Sequence, residues 1–116
     1  MDKHPVVVAN ASGVIRYWSA GAEPAFGYPA ASAVGQSHDL IVPPEFRDAH
    51  WKGFRRAIET GAAEVDGRST HFPVRRADGS VAVYSGAVRL LRSPQELVIG
   101  VMVIFDPQPD TVATTR

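Results

Sequence analysis

Cysteine is absent from the 116 residues. This excludes disulfides, thiolate-bound zinc, iron–sulfur clusters and a cysteine nucleophile, along with any pigment attached through a thiol. An excess of either charge is lacking too. Twelve Lys and Arg balance twelve Asp and Glu, so the clustered basic surplus that nucleic-acid binding requires is missing. No apolar run approaches the roughly 20 residues that span a bilayer. Val6-Val7-Val8-Ala9 is interrupted by Asn10 before it reaches the length of a signal-peptide core. A cytoplasmic chain with neither membrane nor nucleic acid as partner is the expectation.

Apolar residues make up 45% and charged residues 21% of the chain, ordinary proportions for a globular fold. At this size one domain can bury about 65% of its unfolded surface. Val6–Ala9 and Val14–Trp18 read as a hairpin of two short strands around Asn10-Ala11-Ser12-Gly13. Ser19 stands where an N-cap is expected for a short helix over Ala20–Ala25, and Pro29 suits the first position of another over Pro29–Val34. The longest helical pattern runs from Glu45 to Thr60 and ends at Gly61. The period then changes. Val65–Arg76, Ser80–Arg92 and Leu97–Phe105 read as three meandering strands joined by Ala77-Asp78-Gly79 and Ser93-Pro94-Gln95-Glu96. The expectation is a single α+β domain over residues 1–106: a five-stranded antiparallel sheet with short helices and one longer helix packed on one face. Residues 107–116 are expected to form a disordered polar tail.

Within the longer helix, Phe46, His50, Gly53, Phe54, Ala57 and Ile58 fall on one stripe, with the charged residues mostly elsewhere. His50 therefore occupies a position where a core residue belongs. Gly53 costs about 1 kcal/mol relative to alanine in a helix interior, which points to something bulky against that face. Two roles are open to His50: a half-buried histidine bonded to a carbonyl, or an axial ligand to a haem, for which one side chain from the protein suffices. His4, His38 and His71 have no metal-ligand spacing with it.

Other chemistry-bearing residues are poorly placed for catalysis. Asp39 and Asp48 have no nucleophile nearby, and Ser12, Ser19 and Ser85 lack a nucleophile-elbow context, so no enzyme is expected. The glycines at 13, 21, 27 and 35 mark turns and caps and form no phosphate loop. Met102 in the last strand is expected in the core, and Trp51 in ordinary packing.

The order of several short motifs resembles that of PAS domains of the S-box type. They are Gly13-Val14-Ile15-Arg16-Tyr17-Trp18-Ser19-Ala20-Gly21-Ala22-Glu23, Ala25-Phe26-Gly27-Tyr28, Val34-Gly35-Gln36 and Arg76-Ala77-Asp78-Gly79-Ser80. The resemblance covers residues 6–106 and implies a sensor and dimerisation module. Val42-Pro43-Pro44-Glu45-Phe46-Arg47-Asp48-Ala49-His50 followed by Arg56 is similar to the helix of haem-binding PAS domains from bacterial oxygen sensors. By that likeness His50 would ligate the iron of haem b and Arg56 would pair with a propionate. Gly53 would leave room, Val65, Gly86 and Val88 would line a gas pocket, and Arg68 or Thr70 would stand near the distal donor. Gly86 departs from the leucine expected there.

The function so implied is sensing of a diatomic gas, O2, CO or NO. The alternative is a cofactor-free PAS module that binds a small metabolite, or a non-covalent flavin, or that only mediates protein interaction. A homodimer is expected from the resemblance. With no kinase, cyclase or DNA-binding segment in the sequence, the signal is expected to pass to a separate output protein.

Overall fold

The computed structural model describes residues 3–62, 67 and 69–112. Strands β1 (Val6–Asn10) and β2 (Ile15–Trp18) form the first hairpin, and two short helices follow, α1 (Ala22–Phe26) and α2 (Ala30–Ala33). Single 3-10 turns at His38–Leu40 and Pro44–Phe46 lead into α3 (Arg47–Thr60), the longest helix. Strands β3 (Ser69–Arg75), β4 (Val81–Arg92) and β5 (Val98–Phe105) complete an antiparallel sheet of order β2-β1-β5-β4-β3. The expected α+β fold, five strands with helices on one face, is the one observed. In β4 exposure alternates strictly from Val81 to Val88, with Ala82, Tyr84, Gly86 and Val88 buried, as a sheet with one covered face requires.

Local details differ from expectation where a competing bond wins. Helix α1 begins at Ala22 because the Ser19 hydroxyl has two further partners. It accepts from the Val6 amide at 2.8 Å and donates to the His4 carbonyl at 3.1 Å, so it pins β1 besides reaching the Ala22 amide at 3.3 Å. Pro29 is the cap of α2, not its first residue, and the Ala30 amide is taken by the Glu23 carboxylate at 2.6 Å. The first turn expected for the long helix is a 3-10 turn instead. Its end is as anticipated, with Gly61 at φ 71° donating to the Ala57 carbonyl at 2.9 Å.

The polar tail is not free at its start. Strand β6 (Thr111–Val112) pairs with Ala82 and Val83 of β4. The reason is the length of β4. Its partner β5 pairs only as far as Gly86, opposite Phe105, and the Asp106 amide takes the Ser85 carbonyl at 2.8 Å, so the backbone groups before Ser85 need another partner on that flank. The Asp110 amide closes on the Val83 carbonyl at 2.7 Å. The Asp110 carboxylate accepts from Ser85 and lies 3.0 Å from His71 Nδ1.

Packing divides the sheet into two unequal halves. Under α1 and α2, Phe26 is fully buried and meets Trp18, Tyr84 and Phe105 edge-on, with ring centroids 5.7, 5.1 and 5.1 Å away. Val7, Ile15, Ala33, Val74 and Ala82 fill the remaining space. Under α3 the buried cluster is only Phe54, Val88 and Val101. The aromatic half supplies the core that holds the domain together, and Phe26→Ala is expected to cost about 3–5 kcal/mol, measured as a fall in the urea-unfolding free energy.

Candidate functional site

The apolar stripe of α3 does not press onto the sheet. Between them lies a cavity of about 1000 Å³, at the upper end of the range for small-molecule and cofactor sites. Protein interiors are otherwise close-packed, so a void of this size in so short a chain is a feature to be explained. From the helix side its walls are Phe46, His50, Gly53, Arg56 and Ala57; from the sheet they include Phe72, Val88, Leu90, Val101 and Val103. Gly53 is exposed, and a Cβ placed on it would meet nothing within 4 Å. No side chain is pressed against it, so the missing side chain contributes to open space. Phe46, which the periodicity assigns to a core stripe, is 45% exposed for the same reason.

His50 is half-buried on the cavity wall, and His38 joins it there at 7% exposure. Their rings meet edge to face with centroids 5.0 Å apart. Trp51 stacks on His38 at 5.9 Å, while Phe54 stacks on His50 at 6.0 Å. Burial holds both histidines neutral. It pushes the pKa of His38 down to about 4, a shift that His50 reinforces and Asp39 opposes. Burial likewise lowers that of His50, again against Asp39. In each ring Nδ1 is buried without a hydrogen-bond partner. Such an unpaired group costs about 1–3 kcal/mol.

Trp51 belongs to the frame of the site. Its indole N–H donates to Asp39 Oδ1 at 2.7 Å, and Arg47 donates to the Asp39 and Val42 carbonyls, each at 3.1 Å. Asp39 is thereby a bracket between the 3-10 turn and α3. Gly13, at φ 80°, lies under the indole. A Cβ there would come within 2.2 Å of Trp51, so the turn glycine is also a packing requirement. The Gly13 carbonyl accepts from the His38 amide at 3.0 Å and so sets the position of that histidine.

The sequence-derived site residues do not all converge. His50, Gly53, Arg56 and Val88 share the cavity wall. Arg56 is exposed at its rim and has no ion-pair partner among the described residues. Val65 and Arg68 lie outside the described residues. Gly86 and Thr70 pair across β3 and β4 but are not on the wall. A Cβ at Gly86 would come within 2.8 Å of the Ile104 carbonyl and 3.1 Å of Phe72. The space of the expected leucine is occupied by Phe72, which lines the cavity instead. Met102 is half-buried on β5 and stands outside the cavity wall, between Val101 and Val103 that form it. It is not the core residue that its place in the last strand suggests. The sequence does not place His38 at the site because it lies in a separate 3-10 turn before Pro43-Pro44 and outside the helix of His50, so no periodicity relates the two; the one signal is its position next to Asp39 before the Pro-containing loop.

A helix-covered apolar cavity over a sheet, with a few polar groups on its wall, is the kind of place where small molecules bind. The family profile described as PAS fold matches residues 3–107, and the chain belongs to the PAS family. Oxygen sensor protein DosP of Escherichia coli (strain K12) is 30% identical over 74 residues, 64% of this chain. The aligned stretch spans only 9% of that protein. Among solved structures, the PAS domain of a Colwellia psychrerythraea protein superposes with a TM-score of 0.76 at 19% identity, covering 90% of this chain and 86% of that one. The RpfR quorum-sensing receptor PAS domain of Cronobacter turicensis, in complex with BDSF, gives 0.71 at 12% identity, covering 91% and 95%. At these identities the two structures establish the fold alone. Among the described residues, no helix is long and apolar enough to cross a membrane, and no three His, Asp or Glu side chains are grouped to hold a metal ion.

The histidine shift has a thermodynamic consequence. An unfolded histidine binds its proton near pH 6.5, whereas folded His38 does so only near 4. Between these values the unfolded state carries more protons, so stability falls as pH drops through the window and is fully retained above it. The full effect is about 3 kcal/mol. Wild-type protein is expected to lose melting temperature from about pH 7 to about pH 4.5, and His38→Leu to lose distinctly less, by calorimetry across that range.

Proposed function

We propose that this PAS domain is a haem-based gas sensor in which His50 would hold the iron of haem b and Arg56 would pair with a propionate. The observation that carries this reading is His50 itself, a neutral imidazole on the wall of an otherwise apolar cavity large enough for a cofactor. Neutral imidazole is the ligating form, and the residues present fit the group. Apolar walls suit a macrocycle, and the rim offers one guanidinium free of carboxylate partners among the described residues. The likeness to an oxygen sensor points the same way. Bound haem supplies the iron at which O2, CO or NO is detected. The protein's contribution is to hold and orient the group, and to keep a dry pocket beside Val88, Val101 and Leu90. Its signal passes to an output partner, and association of two copies across the exposed sheet residues Tyr17 and Ile104 belongs to the same proposal.

A second reading is a cofactor-free module for an apolar metabolite, favoured by the long apolar wall and by the ligand complex of RpfR. A non-covalent flavin fits the same volume. Titration with hemin separates them. Wild-type protein is expected to develop a Soret band that saturates at one equivalent, and His50→Ala to lose it. A protein that takes up no hemin overturns the haem reading and leaves the cavity to a colourless ligand or a flavin.

Gly53→Leu tests the cavity whatever it binds. The side chain enters open space, so it is expected to raise the stability of the ligand-free protein by about 1 kcal/mol through helix propensity. The same substitution is expected to abolish uptake of hemin, read as loss of the Soret band alongside a higher melting temperature.

A further inference from the structure

The geometry points to His38 as the positioning residue for His50: it accepts the Nδ1–H of His50 and so leaves Nε2 of His50 free to bind iron. This rests on the haem reading above and adds a residue to it. The Nδ1 atoms of His38 and His50 are the buried side-chain polar atoms without a partner among the described residues. They sit on rings that touch, with centroids 5.0 Å apart and planes at 70°. Two neutral imidazoles are complementary in the one way available to them, since each carries one N–H donor and one lone-pair acceptor. Among the described residues no backbone carbonyl or carboxylate reaches the Nδ1 of His50, so His38 is the acceptor at hand. The two nitrogens do not bond to each other in this structure, so closing the bond takes a change in ring orientation. It satisfies both orphaned nitrogens at once.

The tautomer assignment follows. His50 carries its proton on Nδ1, and His38 carries its own on Nε2 while its Nδ1 accepts. Ligating histidines ordinarily donate their second ring N–H to a carboxylate, a carbonyl or water, and loss of such a partner typically weakens metal affinity 10–100-fold. A histidine in that place is an unusual choice, and its surroundings keep it there. His38 packs against the Trp51 indole and Phe54, with centroids 5.9 and 5.4 Å away, and its amide is tied to Gly13.

The test uses nitrogen-15 NMR of ligand-free protein, which reads tautomers without reference to haem, and hemin titration of the same samples. In wild-type protein His50 is expected to be the Nδ1–H tautomer. In His38→Leu it is expected to shift towards Nε2–H, with hemin affinity lowered about 10–100-fold; His38→Gln, whose amide oxygen accepts, is expected to restore most of both. An Nε2–H tautomer for His50 in the wild type overturns the proposal, even where His38→Leu fails to fold. An unchanged tautomer and affinity in a folded His38→Leu does so as well. A wild-type protein that shows the Nδ1–H tautomer yet takes up no hemin supports the pairing and defeats only the haem reading.

Discussion

Trp51 donates its indole N–H to Asp39 at 2.7 Å, and the site depends on where this bond places α3. Asp39 is in the 3-10 turn that follows the β2 and α2 region, so the bond ties the first half of the helix to the sheet's edge elements. Arg47 reinforces the tie through two backbone carbonyls. With this end of the helix fixed by polar contacts and by the indole over Gly13, its apolar stripe need not collapse against β4 and β5. A helix held only by hydrophobic burial would settle until no void remained. Here the bracket and the Phe54 contact set the spacing, and a cavity persists under the rest of the stripe.

A void is tolerable because stability is generated elsewhere. Phe26 and its ring of Trp18, Tyr84 and Phe105 pack the other half of the sheet at close-packed spacing. The two halves share Phe105 and Val7, which belong to the packed core yet also reach the cavity wall. A ligand that fills the cavity therefore presses on residues continuous with the core. It also presses on Val101 and Val103 of β5, the strand that runs on towards Asp110 and β6.

The cavity is apolar except at a few points, and these set its chemistry. Two neutral imidazoles face one another with an unpaired nitrogen each, and a guanidinium stands at the rim. Buried groups that lack partners are costly in a protein that could simply have replaced them with leucine. Their presence makes the wall near His38 and His50 the polar end of the cavity. The opposite wall, from Val88 to Leu90 and Val101, offers only apolar contact.

Sequence alone determined the fold class, the sheet with its strand order in the chain, and the end of α3 at Gly61. These follow from local rules: strand alternation, turn chemistry and the αL glycine act between residues near one another in the chain. It also singled out His50, because helical periodicity exposes one polar residue on an apolar face. Periodicity says which face is apolar and not what covers it, so Phe46 and Gly53 read as core when they border open space. The tertiary structure alone decided four things: the cavity, His38 beside His50, Phe72 in the place expected of a residue at Gly86, and Thr111–Val112 beside β4. Each is a meeting of residues far apart in sequence, set by how far α3 stands from the sheet and by how much longer β4 is than β5. No local pattern encodes either distance.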